Sequence, residues 1–400
     1  MNASLGATVK DFRDSRERAP HSPFLRIDPL LFIAAVGLIA CSVFVVANAT
    51  QDDIPGNPGY YLVRQAAYGA VGIVFMVVLA RIDYSRLREW RWGIYGTMLG
   101  LIFLVLAIGT AAKGSQRWIP LPFFNLQSSE IGKLLLVLAL SGFMVERLRK
   151  LGDKETTCRI LLAAIFPAML VIAQPDLGSG LVYMAIAVAV LFVGGTKWTH
   201  FLVLSVLAVG SVSFVLVGAP AVGVQVLKPY QTDRLTAFLN PTNDPRKQGY
   251  QLKQSINAIG SGQKTGRGPE GATQTKLDFI PEHHTDFIFA VVGEEFGFAG
   301  CALVLSLYAL LLWRALRVLT MAKNVFGALV AGGIAAMLAF QIFVNVGMTI
   351  GIMPITGVPL PLMSYGGSSV IVTFMAIGIL QSIHAQARLA SAAKGRDLIG

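Results

Sequence analysis

Four groups of polar residues interrupt an otherwise apolar chain, and each has a spacing that allows chemistry. Glu130 and Lys133 are three apart, which on a helix places both on one face and lets the carboxylate pair with the ammonium. Asp176 follows Gln174 and Pro175 and precedes an apolar run, the position of a helix N-cap or of a carboxylate turned toward a ligand. Asp286 lies where a long polar segment meets the next apolar run, and a single carboxylate so placed can act as a general base. The fourth group is uncharged: Asn345, Gly347, Thr356, Ser364, Tyr365, Ser368 and Ser369, in a stretch rich in glycine and proline.

Three other features read less productively. Glu294 and Glu295 come about two turns after Asp286 and are taken as packing residues outside the site. The His283-His284 pair invites a metal reading but lacks spaced carboxylate or histidine partners. Residues 260–268 look like a phosphate loop, yet no glycine directly precedes Lys264 and the segment does not join a strand to a helix. A flexible turn is the expectation there.

The elements that must carry these residues follow from hydropathy. With 54% hydrophobic and 14% charged residues and a mean hydropathy of +0.63, the chain does not fit a water-soluble globule. A helix crosses the hydrocarbon core with roughly 20 apolar residues. Residues 29–51, 92–112 and 177–196 meet that length outright, and 65–80, 134–145 and 160–175 reach it when charged residues at their ends are included. Residues 198–227 and 287–313 add two more. The run 324–387 carries no formal charge, and its glycines and prolines between 347 and 367 split it in two. The expectation is an all-α polytopic membrane protein with about ten transmembrane helices and a long extracytoplasmic loop, 218–285, between spans seven and eight.

Charge sets the orientation. With the N-terminus inside, 21 of the 33 lysines and arginines fall in inner segments, while the short outer loops hold Arg64, Lys113 and Arg117. Residues 1–28 and 391–400 then form cytoplasmic tails around a membrane domain at 29–390, and the first 28 show no signal-peptide cleavage pattern. The net charge of +11 is dispersed between apolar segments rather than gathered into a basic domain, so no nucleic-acid partner is expected. Cys41, Cys158 and Cys301 are too far apart for a disulfide framework or zinc spacing. On this topology the ionisable residues gather at one membrane face, which implies a single extracytoplasmic site.

Read in order, several segments resemble the SEDS family of polytopic peptidoglycan glycosyltransferases. They are Arg117-Trp118-Ile119, Ser129-Glu130 with Lys133, and Gln174-Pro175-Asp176-Leu177-Gly178-Ser179. In the long loop they are Phe238-Leu239-Asn240-Pro241, Gly249-Tyr250-Gln251, Ala258-Ile259-Gly260-Ser261-Gly262 and Phe279-Ile280-Pro281-Glu282 followed by His284-Thr285-Asp286-Phe287. The last block is Pro359-Leu360-Pro361 with Ser364-Tyr365-Gly366-Gly367-Ser368-Ser369. Two positions depart from the family pattern: Ser128 stands where a proline is usual, and Gln263 where a second glycine is usual. The wording is closer to the elongation branch, RodA, than to the division branch, FtsW.

The resemblance implies polymerisation of lipid II in the bacterial inner membrane during cell elongation, with undecaprenyl diphosphate as leaving group. The family's catalytic aspartate falls on Asp286. A departing diphosphate needs cations. Arg117, Lys133 and Arg234 are the candidates, with Glu130 orienting Lys133 and a divalent cation left open. Asp176, Glu282, Thr285, Ser364 and Ser368 complete the expected substrate-binding set. The implied partners are a class B penicillin-binding protein acting as transpeptidase and the elongation machinery. The small residues of span nine, such as Gly327, Gly332 and Gly333, suit either a docking surface or internal packing. The alternative from another class is a lipid II flippase or other polyprenyl-lipid transporter, since broken helices with buried charges are also transporter features.

Overall fold

The computed structural model describes residues 27–397 apart from 52, 113–114, 121–124, 149–152, 222–237, 239–247 and 278. Lys113, Arg234, the Asn240-Pro241 stretch, nearly all of the 1–28 tail and the last three residues therefore lie outside the described residues, whereas residues 391–397 of the expected C-terminal tail continue the last helix.

Eleven helices of fifteen residues or more carry the architecture among the described residues. In chain order they are α1 (Pro29–Ala49), α2 (Tyr60–Arg81), α3 (Arg91–Ile108), α4 (Ser128–Glu146), α5 (Lys154–Ala173) and α6 (Leu177–Val193). Then follow α7 (Trp198–Ser213), α8 (Gln248–Gly262), α9 (Ile288–Met321), α10 (Val325–Thr349) and α11 (Gly367–Asp397). Eight of them (α1, α2, α4, α5, α7, α9, α10, α11) are long and apolar enough to cross a membrane, and α3 and α6 are shorter apolar helices. α7 makes the solvent argument plainly. None of its residues is buried, and Leu202, Val206 and Val209 are each more than 60% exposed. Such a helix is stable only where its surroundings are themselves apolar. The chain is a helical, polytopic membrane protein.

The apolar run at 92–112 does not continue as one helix. Gly109 takes extended backbone (φ −61°, ψ 137°) and ends α3. The chain then forms a small antiparallel sheet, β1 (Thr110–Ala112), β2 (Ser115–Pro120) and β3 (Asn125–Gln127), in the order β1-β2-β3. Hydropathy cannot separate a helix end from a short apolar strand, so the sheet replaces the expected last turns of the helix. The break in the long uncharged run falls as expected, between α10 and α11 at residues 350–366.

Interior contacts are close because small residues allow them. A side chain at Gly72 of α2 would run into Phe374 of α11, and one at Gly332 of α10 into Val193 of α6 and Leu319 of α9. Gly327, Gly332 and Gly333 are buried against Tyr84, Val193 and Val137, so the small-residue face of α10 packs internally. At the opposite end from the site described below, Asp28 caps α1 by accepting from the Leu30 and Leu31 amides. Its carboxylate also pairs with Arg314 of α9, and its backbone exchanges two hydrogen bonds with Gln381 of α11.

The glycine-rich segment after α8 docks backbone to backbone on α9. At Gly297 (φ 60°, ψ −154°) α9 leaves helical geometry. The amides of Phe298 and Ala299 donate to Gln263 O (2.8 Å) and Lys264 O (3.1 Å), replacing helical partners. Side chains at Gly262 or Gly266 would collide with the carbonyls of Gly293 and Glu295. Residues 260–268 are thus a docking strap rather than a flexible turn. Gln263, where the family pattern has glycine, sits at φ 47° in the left-handed region that glycine occupies without strain.

Candidate functional site

The beginnings of α4, α6, α9 and α11 meet at one end of the bundle, held by two sets of hydrogen bonds: one joins α4, α6 and the start of α11, the other joins the turn before α9 to α10 and the 350–366 break. Asp176 caps α6 through the Ser179 amide (3.1 Å), as a residue of its type should. Its other carboxylate oxygen accepts from Ser129 Oγ (2.8 Å) on α4 and from Gln127 Nε2 (3.2 Å) at the end of β3. The Gln127 amide donates to Ser368 Oγ (3.0 Å), which itself donates to Asn125 O (2.8 Å), fastening the sheet to the start of α11. Asp176 is therefore cap and cross-tie together.

Glu130 and Lys133 do share a face of α4. Lys133 Nζ lies 2.6 Å from Glu130 Oε1, and both side chains are almost fully buried. Between them Gly132 is obligatory, because any side chain there would strike the Tyr183 hydroxyl, which donates to Ser129 O (3.2 Å).

Asp286 lies in a turn, half-buried, before α9. It is not the N-cap of that helix: Phe287 holds that position, with no side-chain cap bond. The turn is fixed on several sides. Glu282 adopts a left-handed conformation (φ 60°), and Thr285 Oγ1 lies within hydrogen-bond distance of Glu282 O (3.2 Å) and Glu282 Oε2 (3.1 Å). From the 350–366 break, Ser364 Oγ donates to Thr285 O (2.6 Å) and the Tyr365 amide to His284 O (2.9 Å). From α10, Asn345 Nδ2 donates to Asp286 O (2.9 Å). Ser364 and Ser368 thus use their hydroxyl protons on the backbone.

Sequence reasoning missed several groups here. Arg64, exposed on α2, lies over the Tyr60 ring (4.2 Å) and hydrogen-bonds Tyr365. Burial pushes the Tyr365 hydroxyl well above the ordinary phenol range, and Arg64 offsets part of that rise. Gln127 is a second such group, its side chain on Asp176 and its backbone amide on Ser368. Asp53, in the α1–α2 loop, faces His283 and His284. These three are the one group among the described residues whose histidine and acidic ligand atoms converge as a metal site requires. The reading of the histidine pair as lacking a carboxylate partner is corrected: the partner comes from 230 positions upstream, beyond any local spacing rule.

Glu294 and Glu295 do not face this turn. Glu294, fully buried, accepts from the amides of Gln274 (2.8 Å) and Thr275 (3.0 Å) and from Thr275 Oγ1 (2.7 Å). It holds the segment after the docking strap, as a packing role implies. Of Arg117, the backbone in β2 is described, placing it beside the Gln127 register; its side chain and all of Arg234 lie outside the described residues.

Stacked apolar helices with a hydrogen-bonded polar end that joins four helix beginnings define a polytopic membrane protein with a site at its surface. The family model described as a cell cycle protein, FTSW_RODA_SPOVE, matches residues 27–389, and the chain belongs to this family, the SEDS proteins. It is 38% identical over 389 residues to a probable peptidoglycan glycosyltransferase FtsW of Thioalkalivibrio sulfidiphilus, covering 94% of each chain. To the peptidoglycan glycosyltransferase MrdB of Escherichia coli K12 it is 37% identical over 369 residues, covering 92% of this chain and 96% of the other. Among solved structures, a chain from a study of polymerisation and crosslinking by a peptidoglycan synthase complex is similar with a TM-score of 0.74 and 31% identity, over 90% of this chain and 98% of that one. The rod shape determining protein RodA of Thermus thermophilus is similar with a TM-score of 0.65 and 27% identity, over 90% and 96%.

Proposed function

We propose that this chain is a peptidoglycan glycosyltransferase that polymerises lipid II, with Asp286 as its general base. The observation that carries the reading is the Asp286 turn, pinned by Asn345, Ser364 and Tyr365 at the polar end of a chain whose relatives bear that name over more than nine-tenths of its length. The 4-hydroxyl of one lipid-linked disaccharide gives its proton to the Asp286 carboxylate while its oxygen bonds to the anomeric carbon of another. The bond from that carbon to the diphosphate oxygen breaks, and the electron pair leaves with undecaprenyl diphosphate. One displacement inverts the anomeric centre, so no second carboxylate is required as nucleophile at Asp176 or Glu282.

Cation duties divide by pairing. Lys133 is held at 2.6 Å by Glu130 and brings no net charge, so the pair is assigned a positioning role. Arg117 and Arg234 remain the cations for the diphosphate, joined by Arg64. Asp176, Ser364 and Ser368 hold the walls of the site, with Thr285 and Glu282 setting its turn. Ten crossings with both termini cytoplasmic, in a bacterial inner membrane, put this polar end on the extracytoplasmic side. The 218–285 loop then belongs to the same side of the membrane. A class B penicillin-binding protein is the proposed partner, and elongation the proposed process. A transporter would distribute polar groups along a path through the bundle, whereas the groups around Asp176 and Asp286 gather at one end, and the Asp28–Arg314–Gln381 cluster at the other end ties α1, α9 and α11 together.

Purified wild-type chain and Asp286→Asn, both assayed for glycan chains from lipid II, test the reading. Loss of a positioned base lowers the rate by about 10²–10⁴-fold. Product formed by Asp286→Asn at the wild-type rate refutes the assignment, and a wild-type chain that makes no glycan favours transport.

A further inference from the structure

We propose that Asp53, His283 and His284 form a binding site for a borderline divalent cation of the Zn²⁺ class, with two imidazole nitrogens and one carboxylate oxygen as ligands and at least one position open. Asp53 Oδ2 lies 3.5 Å from His283 Nε2 and 3.9 Å from His284 Nδ1. All three ligand atoms fall within 4.8 Å of one another. Metal–ligand bonds of about 2.0–2.1 Å in tetrahedral geometry set neighbouring donors about 3.4 Å apart. The two Asp53 edges approach that value, and the edge between the imidazole nitrogens, within 4.8 Å, closes by rotation of the His284 side chain. Two nitrogens with one carboxylate suit Zn²⁺ and its neighbours better than Ca²⁺ or Mg²⁺, which prefer all-oxygen sites.

The surroundings orient the ligands in advance. His283 Nδ1 is 3.3 Å from Ile280 O, so its N–H donates to that carbonyl and the Nε2 lone pair turns toward Asp53. The second imidazole, through His284 Nδ1, converges on the same Asp53 oxygen. The His284 ring is held by Tyr61 (centroids 4.9 Å) and Tyr365 (5.7 Å). His283 is buried, while the Asp53 side chain keeps about a quarter of its surface exposed (23%), which leaves an entry path and room for a water or an anionic oxygen. Such an ion ties the α1–α2 loop to the turn that carries Asp286, two residues beyond His284. Binding does not rest on the glycosyltransferase reading.

The test uses the full chain in detergent with the exposed Cys158 changed to serine, so that this thiol does not compete for the metal. After chelator treatment it is titrated with Co²⁺, whose visible d–d absorption reports tetrahedral nitrogen–oxygen ligation, and then with Zn²⁺ by calorimetry. One equivalent binds, Zn²⁺ displaces Co²⁺ and bleaches the bands, and Asp53→Asn and His283→Gln each weaken affinity at least tenfold. Asp286→Asn binds like the parent. Unchanged metal-free unfolding temperatures show that the ligand variants remain folded. Absence of saturable one-to-one binding, or binding that neither ligand variant weakens, overturns the site. A chain that binds the ion but makes no glycan overturns the proposed activity and leaves the site standing.

Discussion

Lys133→Met separates stability from chemistry at the Glu130–Lys133 pair. The two charged atoms are 2.6 Å apart and the side chains are 2–3% exposed, so at an effective dielectric of about 20 their attraction is about 6 kcal/mol. Desolvating each ion costs several kcal/mol, so the intact pair is close to neutral for stability. Removing one partner is different. Glu130 keeps its desolvation cost and loses its compensation, which destabilises the fold by about 3–5 kcal/mol. Glu130→Gln with Lys133→Met removes both charges and recovers most of that loss. The assay is a double-mutant cycle on unfolding in detergent, run beside glycan synthesis from lipid II. Because the pair is assigned a positioning role, the double variant regains measurable polymerase activity together with its stability. A single variant within about 1 kcal/mol of wild type would refute the energetic argument. A stable but inactive double variant would refute the positioning role and make Lys133 a cation for the diphosphate.

Two further outcomes follow from the docking strap. Glu294→Ala leaves two amides and one hydroxyl near Gln274 and Thr275 without their acceptor, at about 1–3 kcal/mol each, and hydrogen exchange across residues 262–276 rises while the core of α10 stays protected. Gly266→Ala meets both a left-handed φ of 84° and the Glu295 carbonyl, so protease cleavage within 260–276 accelerates; cleavage at the wild-type rate would show that the strap does not depend on this contact.

Much of this protein is written locally. Apolar runs of crossing length fixed the helices, because the bilayer core imposes a minimum length that sequence records directly. The break at 350–366 was visible in its glycines and prolines, and the shared face of Glu130 and Lys133 follows from helical spacing. Other features were decided by tertiary structure. Strands β1–β3 occupy residues whose hydropathy equally suits a helix end, and antiparallel pairing made the choice. Glycines that looked like a phosphate loop or a loose turn exist because two backbones touch at Gly262, Gly266 and Gly297. Asp53 meets His283 and His284 only when the α1–α2 loop folds over the Asp286 turn. Local spacing prescribes which residues share a helix face; which faces and loops then meet depends on packing between segments hundreds of residues apart, and that information resides in the folded chain.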